Sequence, residues 1–167
     1  MNHNPHLPIK RHTGLTEDQE RQAVVDAAIA WRGTPYMQMG YRRGPGGAVD
    51  CSMLLVGAWV DAGIFEPFDP RPYPPEWHMH RSEERYLEWL DMIALRTETP
   101  RIGDVVCWLV GHCFAHAGII VSDTEVVHAY VTHRQCSKTS IDNPELSRLD
   151  INFKRPRIFF DMWGRIR

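Results

Sequence analysis

A cysteine lies between an aspartate and a serine at the start of an apolar stretch, VDCSMLLVGAWVDAG (49–63). The apolar positions predict a helix over 51–62 with Asp50 as its N-cap, which places Cys51 in the first turn. Unpaired backbone N–H groups and the helix dipole favour a thiolate there, and such sites lower a thiol pKa from about 8.5 to roughly 3.5–7.5. Cys51 is therefore a candidate nucleophile. The alternative is a small apolar residue packed under the cap.

Two histidines could complete the chemistry, because a cysteine nucleophile needs a base and a group that orients the base. His116 lies in the strand-like run AHAGIIV, where its small neighbours leave room for another group to dock. His128 lies in the next such run, TEVVHAYV, beyond a short turn. Adjacent antiparallel strands bring such residues close together, so His128 is expected to hold the His116 ring in the productive tautomer. Either histidine could instead be a core residue satisfied within the sheet.

The elements that must position these residues form two groups. A Thr16–Gln19 capping box opens a predicted helix over 16–31, the cysteine helix follows, and Ser82 is expected to cap a third helix. The apolar face of this third helix consists of Tyr86, Trp89, Leu90 and Ile93. From Pro100 onward the pattern changes to short β-branched or aromatic runs: DVVCWLV, AHAGIIV, TEVVHAYV and RIFFD. Helices followed by strands, without alternation, predict an α+β fold with an antiparallel sheet.

The length of 167 residues predicts one domain. We expect residues 1–13 to form a flexible N-terminal arm and residues 14–167 to form the single domain. An insertion at about 65–99 begins with a proline-rich excursion.

Composition excludes several classes of function. A net charge of −2 gives no basic excess for nucleic-acid binding, and no apolar segment is long enough to span a membrane. The N-terminal stretch MNHNPHLPIKRHTG has no apolar core of a signal peptide, so we expect a protein made in the cytoplasm. Without export, the four cysteines are expected to be free thiols.

A zinc site is an alternative use of the histidines and cysteines in the second half of the chain. None of them follows a C-x-x-C or H-E-x-x-H pattern, so no metal site is predicted. The residues considered are His112, Cys113, His116, His128, His133 and Cys136.

The run DCSMLLVGAWVDAGI resembles the DCSGLV-type helix of NlpC-type cell-wall cysteine peptidases, a papain-like family. Four further blocks stand in the family's order, WRGTPY before the cysteine and PRIGDVVCW, HAGIIV and VVHAY after it, so the resemblance covers roughly residues 20–131. It implies a papain-like fold with N-terminal helices packed on a C-terminal antiparallel β-sheet. It also implies Cys51 as nucleophile, His116 as base, His128 as the third polar residue, and Tyr36 beside the developing oxyanion.

The same resemblance implies the stem peptides of peptidoglycan as substrate, with no cofactor, and suggests the bond from D-glutamate to the diamino acid. Asp50, Ser52 and Met53 surround the nucleophile and are candidates for substrate contacts. Met53 stands where the family usually has glycine, and either shapes the groove or points into the core. Tyr73, Trp77 and Trp108 are aromatic candidates for the groove wall, with packing as the alternative.

The segment YPPEWHMHRSEERYLEWL resembles the insertion in family members encoded by bacteriophages and gene-transfer agents. Together with the N-terminal sequence, this resemblance implies a protein carried in a phage tail, with tail-tip proteins as partners, that acts at the bacterial cell wall. Two alternatives stay open. One is a catalytically silent, structural tail-tip protein, and the other is an amidase or acyltransferase of the same fold with a different substrate.

Overall fold

A computed structural model describes residues 8–73, 84–148 and 153–164. Four helices lie in these ranges: α1 (Glu17–Ala30), α2 (Cys51–Asp61), α3 (Arg85–Ile93) and the short α4 (Pro144–Ser147). The strands are β1 (Tyr41–Arg42), β2 (Ala48–Val49), β3 (Leu95–Thr97), β4 (Val105–Val110), β5 (Cys113–Ile120), β6 (Glu125–Tyr130), β7 (Gln135–Ser140) and β8 (Arg157–Asp161). Within the described residues, β1 and β2 pair with each other, and the other six strands form one antiparallel sheet in the order β3-β8-β4-β5-β6-β7. The predicted α+β class is confirmed.

Local sequence signals account for the start of the first two helices. Thr16 caps α1 through a capping box, in which its hydroxyl accepts from the Gln19 N–H and the Gln19 side chain accepts from the Thr16 N–H. Asp50 caps α2 by accepting the N–H of Met53 at 2.9 Å. Both caps are those that the sequence predicts.

The first two helices pack closely at Gly57. A Cβ atom on this residue would lie 2.4 Å from a ring carbon of Trp31, so the approach requires glycine. The Trp31 indole N–H donates to Asp61 Oδ2 at 2.9 Å. These contacts fix the position of α2, and with it the position of Cys51.

The two faces of the sheet have different partners. One face packs against α1 and α2 in the main core, to which Cys107 and Ile119 belong. The other face carries a second cluster of buried apolar side chains, which includes Trp108, Val126 and Leu146 of α4. Side chains alternate along a strand, and residues paired across strands share a face. The catalytic candidates on β5 and β6 therefore lie on the second face, since one is paired with Trp108 and the other is two residues from Val126.

Gly118 allows β5 and β6 to approach each other. A Cβ atom at this position would lie 2.6 Å from Val126 Cγ2 and 2.8 Å from the Val127 carbonyl oxygen. His116 lies two residues before this glycine, and His128 lies two residues after Val126. The close approach therefore brings the two histidines to neighbouring positions on one face.

A buried arginine connects α1 to the sheet. Arg21 is 1% exposed, and its guanidinium donates to Asp104 Oδ1 at 2.6 Å and to Asp161 Oδ1 at 2.8 Å. The same guanidinium lies 4.2 Å from the ring centroid of Trp163. This ion-pair network fixes the turn before β4 and the end of β8 against α1.

The structure adds helix α4 and strands β1, β2, β3 and β7 to the predicted elements, and it corrects the expected arm. Strand β7 was not predicted, because its sequence QCSKTS is polar and mostly exposed at the sheet edge. Residues 9–11 of the expected flexible arm pair with 64–66, where the Arg11 N–H donates to the Ile64 carbonyl at 2.8 Å. This part of the arm is therefore held against the domain.

Some expectations fall on other parts of the chain. The cap expected at Ser82, residues 1–7 of the arm and the middle of the insertion (74–83) lie outside the described residues. Among the helices in the described ranges, none has the length and apolar character to cross a bilayer.

Candidate active site

Cys51 lies in the first turn of α2, and its sulfur contacts β5. The thiol donates to the carbonyl oxygen of Ala115 at 3.8 Å, and the N–H of Ala117 also interacts with the sulfur. These two alanines flank His116, so the helix start meets β5 at the residue predicted to be the base. The Cys51 sulfur thus lies against β5 at the two residues that flank His116, which is 65 residues further along the sequence.

The thiol pKa differs from the sequence expectation. Burial, followed by the charge of the Asp50 carboxylate, raises the pKa of Cys51 to about 12. The Ala117 N–H and the hydroxyls of Ser52 and Tyr86 act in the opposite direction and favour the thiolate. Burial and the neighbouring charge outweigh these donors, so Cys51 is a protonated thiol at neutral pH in the free protein. The expected low pKa is therefore wrong for this state.

Asp50 does more than cap the helix. Its Oδ1 accepts the N–H of Met53 at 2.9 Å, while its Oδ2 accepts the N–H of Met39 at 2.7 Å and the hydroxyl of Tyr73 at 2.6 Å. Burial raises the pKa of the Asp50 carboxyl, and these donors oppose that shift. The carboxylate is only 3% exposed and links α2 to both the preceding loop and the insertion.

His116 belongs to a hydrogen-bonded chain that crosses three strands. Its Nε2 lies 3.0 Å from Nδ1 of His128, whose Nε2 lies 3.0 Å from Oγ1 of Thr139. The Thr139 hydroxyl donates onward to the Ser140 carbonyl oxygen at 3.4 Å. With that hydroxyl donating, Thr139 accepts from His128 Nε2–H, and Nδ1 of His128 then accepts from His116 Nε2–H. In this tautomer Nδ1 is the ring nitrogen of His116 that carries no proton, and a general base accepts a proton at such a nitrogen.

His128 stays neutral within this chain. Burial, followed by the charge of the neighbouring His133, lowers the pKa of His128 to about 3. Its side chain is fully buried, at 0% exposure. Nδ1 of neutral His128 therefore accepts a hydrogen bond from the His116 Nε2–H over the whole range of pH in which the site would operate.

Aromatic rings hold the two imidazoles in place. The Trp108 ring stacks on His116 with centroids 5.6 Å apart, and the Tyr130 ring lies 4.4 Å from the same imidazole. The ring of His133 lies 5.2 Å from that of His128, and its Nε2 lies 2.7 Å from Glu145 Oε2. Rotation of either catalytic candidate is therefore restricted by packing as well as by hydrogen bonds.

Tyr36 lies near Cys51 and Asp50. Its N–H donates to the Arg134 carbonyl at 2.8 Å, and residue 36 forms a parallel bridge with Val49. Burial, followed by the nearby Cys51 and Asp50, raises the pKa of the Tyr36 hydroxyl. The hydroxyl therefore remains protonated and able to donate a hydrogen bond.

The four candidates for substrate contacts lie in different environments. Met53 and Trp108 are both 0% exposed, because Met53 points into the main core and Trp108 lies behind His116. Neither offers surface to a substrate in this structure, which corrects the groove role considered for them. Asp50 is buried among its own donors. Ser52 is partly exposed next to Cys51 and stays a candidate for substrate contact.

Sequence reasoning missed Thr139, and it did not predict the contacts of Tyr73, a groove-wall candidate, or of Tyr86, which was assigned to the apolar face of the third helix. Thr139 was missed because β7 was not predicted. Once β7 is paired with β6 in the observed register, Thr139 lies next to His128. Tyr73 and Tyr86 come from the insertion, where the sequence gives no indication of their contacts with Asp50 and Cys51.

The described residues contain no group of three histidine, cysteine or acidic side chains arranged to hold a metal ion. All four cysteines carry free thiols, and Cys107, Cys113 and Cys136 are buried with at most 1% exposure. Cys51 is therefore the most accessible thiol of the chain.

No family model matches the sequence, and no curated protein resembles it in sequence. Solved structures do resemble it in fold. NlpC1 from Trichomonas vaginalis aligns with a TM-score of 0.55 and 17% identity over 95% of this chain and 47% of the other. The NlpC/p60 domain of the peptidoglycan hydrolase SagA aligns with a TM-score of 0.52 and 18% identity over 85% and 98%.

The peptidoglycan hydrolase RipB from Mycobacterium tuberculosis also aligns, with a TM-score of 0.52 and 15% identity over 90% of this chain and 69% of the other. The chain spans about half the length of the Trichomonas protein. At these identities the likeness is one of fold. The chain therefore has the papain-like, NlpC-type α+β fold that the sequence predicts.

Proposed function

We propose that this protein is a cysteine peptidase that hydrolyses the stem peptides of peptidoglycan. The observation that carries the proposal is the hydrogen-bonded series from Thr139 through His128 to His116, together with the Cys51 sulfur, which lies 3.8 Å from the carbonyl oxygen of Ala115, the residue before His116. Such an arrangement of nucleophile, base and orienting group is what acyl transfer through a thioester requires.

Cys51 would react from its protonated state, since burial raises its pKa. As the sulfur attacks the scissile carbonyl carbon, the thiol proton moves to Nδ1 of His116, and the resulting imidazolium is stabilised by neutral His128 through their hydrogen bond. The oxyanion would accept hydrogen bonds from the Tyr36 hydroxyl and the Cys51 backbone N–H. His116 then protonates the departing amine, the C–N bond breaks, and water hydrolyses the thioester to return the free thiol.

The substrate class is supported by two independent likenesses. The residue blocks around Cys51, His116 and His128 resemble those of NlpC-type cell-wall peptidases. SagA and RipB, which share the fold, are named peptidoglycan hydrolases. The bond from D-glutamate to the diamino acid is the one we propose is cut.

A place in a phage tail is the biological setting that we propose for this activity. The resemblance of the insertion to that of phage-encoded members supports it, with tail-tip proteins as partners and the bacterial cell wall as the site of action. Antibodies against the protein should label the tail tips of purified virions from a host strain that carries its gene. Virions without the protein would contradict this setting but not the enzymatic activity.

The enzymatic proposal is tested by digestion of purified peptidoglycan, with the released fragments identified by mass spectrometry. New amine and carboxyl termini within the stem peptide would support the peptidase and identify the bond. Fragments in which the lactyl–alanine amide is cut would instead indicate an amidase. If a folded protein releases no fragments while acyl transfer to a non-peptidoglycan acceptor is detected, the acyltransferase alternative replaces the proposal.

A further inference from the structure

Three ring-bearing side chains form a row across the sheet, with His116 in the middle. Trp108 on β4 is the cross-strand partner of His116 on β5. On the other side of β5, the register that pairs Ile119 with Val127 places Tyr130 opposite His116 when it is continued by three residues. Residues opposite each other on neighbouring strands share a face of the sheet. The imidazole therefore has one larger ring on each side.

Both rings lie close to the imidazole. The Trp108 ring is stacked on it, with an interplanar angle of 23° and centroids 5.6 Å apart. The Tyr130 ring lies at 4.4 Å, with an angle of 38°. These distances are within the range of about 6 Å over which the face of an aromatic ring attracts a cation. His116 is only 4% exposed, so water competes little with this attraction.

Packing alone does not account for a tryptophan at position 108. The side chain is fully buried, and its indole Nε1–H has no hydrogen-bond partner among the described residues. A buried donor without a partner costs free energy, and an apolar side chain in the same place would avoid that cost. Tryptophan is also the side chain whose ring attracts a cation most strongly. Its presence is better explained by the ring face that it offers to His116.

The proposed mechanism places a positive charge between these rings. His116 takes up the thiol proton and becomes an imidazolium, while its hydrogen-bonded partner His128 is neutral. A neutral histidine accepts the hydrogen bond but brings no negative charge to offset the cation. The faces of aromatic rings carry partial negative charge, and two such faces adjoin the imidazole.

We propose that Trp108 and Tyr130 are positioning residues whose rings, on opposite sides of His116, stabilise its imidazolium when it accepts the thiol proton. Two aromatic faces then take the part that a carboxylate partner plays for a catalytic histidine. This inference rests on the proposed function, because it concerns the base of that site.

The test varies the electron density of the ring at position 130 and keeps its shape. Tyr130 is partly exposed, so substitution there is tolerated more readily than at Trp108. Tyr130→Phe is the reference, and its mono-, di- and trifluorinated phenylalanine analogues, introduced by codon suppression, withdraw charge from the ring face in steps. Phe159 is the matched control for fluorination, because its ring packs against the same apolar cluster from β8, two strands away from β5.

The readout is the NMR titration of the His116 ring from about pH 4 to pH 9, with the signal assigned by its loss in His116→Gln. The thiol of Cys51 stays protonated over this range. The series at position 130 leaves every other titratable or charged side chain on the surrounding elements unchanged. These are Tyr36, Asp50, Cys51, Glu84, His128, His133, Asp142, Glu145 and Arg157.

We expect each added fluorine to lower the titration midpoint of His116, by about half a unit over the whole series. Tyr130→Leu, which removes the ring, should lower the midpoint by about one unit, and Trp108→Leu should act in the same direction. Fluorination of Phe159 should leave the midpoint unchanged. On a soluble stem peptide, the acid limb of kcat/KM should move to lower pH in step with the NMR midpoint.

Equal midpoints throughout the fluorinated series would overturn the inference. So would a higher midpoint in folded Tyr130→Leu, because exposure to water favours the charged form of a buried histidine and the ring would then only shield His116. If Trp108→Leu fails to fold by circular dichroism, the series at position 130 decides alone. Since the titration needs no substrate, a protein inactive on peptidoglycan would count against the proposed function and leave this result standing.

Discussion

Nε2 of His116 lies 3.0 Å from Nδ1 of His128, and the side chain beyond His128 decides which of the two nitrogens carries the proton. The Thr139 hydroxyl accepts from His128 and donates to the Ser140 carbonyl oxygen. Because a carbonyl oxygen can only accept, it fixes the donor and the acceptor in each hydrogen bond of this series. The proton acceptor of His116 is thereby its Nδ1. In the proposed mechanism, His116 as the base is oriented by neutral His128.

Thr139→Val should lower kcat about tenfold with little change in KM, because the tautomer of His128 is no longer fixed while the shape of the side chain is kept. The measurement is steady-state hydrolysis of a soluble stem peptide. Thr97→Val, on a strand at the opposite edge of the sheet, is the matched control. Equal kcat values for Thr139→Val and the parent would show that the third strand plays no part in orienting the base.

Asp50→Asn should increase the rate of Cys51 alkylation at neutral pH. The substitution removes the negative charge that raises the thiol pKa, while asparagine still caps the N–H of Met53. Asp61→Asn, at the other end of the same helix, should leave the rate unchanged. A slower reaction in Asp50→Asn would contradict this prediction. It would mean that capping of α2 by the carboxylate favours the thiolate more than the negative charge disfavours it.

His128 should make the protein less stable as the pH falls. Its pKa of about 3 in the folded protein lies below the unfolded value of about 6.5, so the unfolded chain binds the proton more readily between these values. The free energy of unfolding should therefore be highest above pH 6.5 and fall by up to about 1.4 kcal/mol per pH unit below it.

Urea unfolding at pH 7.5, 6.0 and 5.0 measures this slope in the parent and in His128→Asn. The slope should flatten in His128→Asn and stay parental in His112→Asn, since His112 is exposed. Equal slopes in all three proteins would show that groups other than His128 cause the pH dependence of the free energy of unfolding.

Arg21→Met should destabilise the fold by about 3–5 kcal/mol, because it leaves the Asp104 carboxylate, 1% exposed, without its charged partner. Arg101→Met removes exposed ion pairs to Glu17 and Asp18 and should cost less than about 1 kcal/mol. Urea unfolding at neutral pH compares the two. Similar losses from both substitutions would show that burial of the Arg21 pair is not what stabilises this region.

The sequence predicts the parts of the site that depend on local signals. Asp50 as a cap and Cys51 in the first turn follow from residue types within one helical turn. His116 and His128 follow from two strands joined by a short turn, and the family resemblance places Tyr36 beside them. The structure shows the Asp50 cap, Cys51 in the first turn, His116 next to His128 and Tyr36 near Cys51, while the roles of these residues stay predictions.

The remaining parts depend on long-range packing that no local pattern encodes. Thr139 could not be assigned because β7 is polar and the register of the hairpin cannot be read from the sequence. Tyr73 and Tyr86 reach Asp50 and Cys51 only through the path of the insertion. Burial of the Cys51 side chain, followed by the charge of Asp50, raises the thiol pKa, whereas a helix-start argument alone predicts a lower value.

The most direct test of the central claim is the rate of stem-peptide hydrolysis by the parent, Cys51→Ala and Cys136→Ala under identical conditions. The account predicts that Cys51→Ala loses hydrolysis by at least about 10³-fold while remaining folded, since the nucleophile is absent. Cys136→Ala, which removes a buried thiol, should retain the parental rate in its folded fraction. Hydrolysis by folded Cys51→Ala at the rate of the parent would contradict the account, because the bond would then be cut without the cysteine.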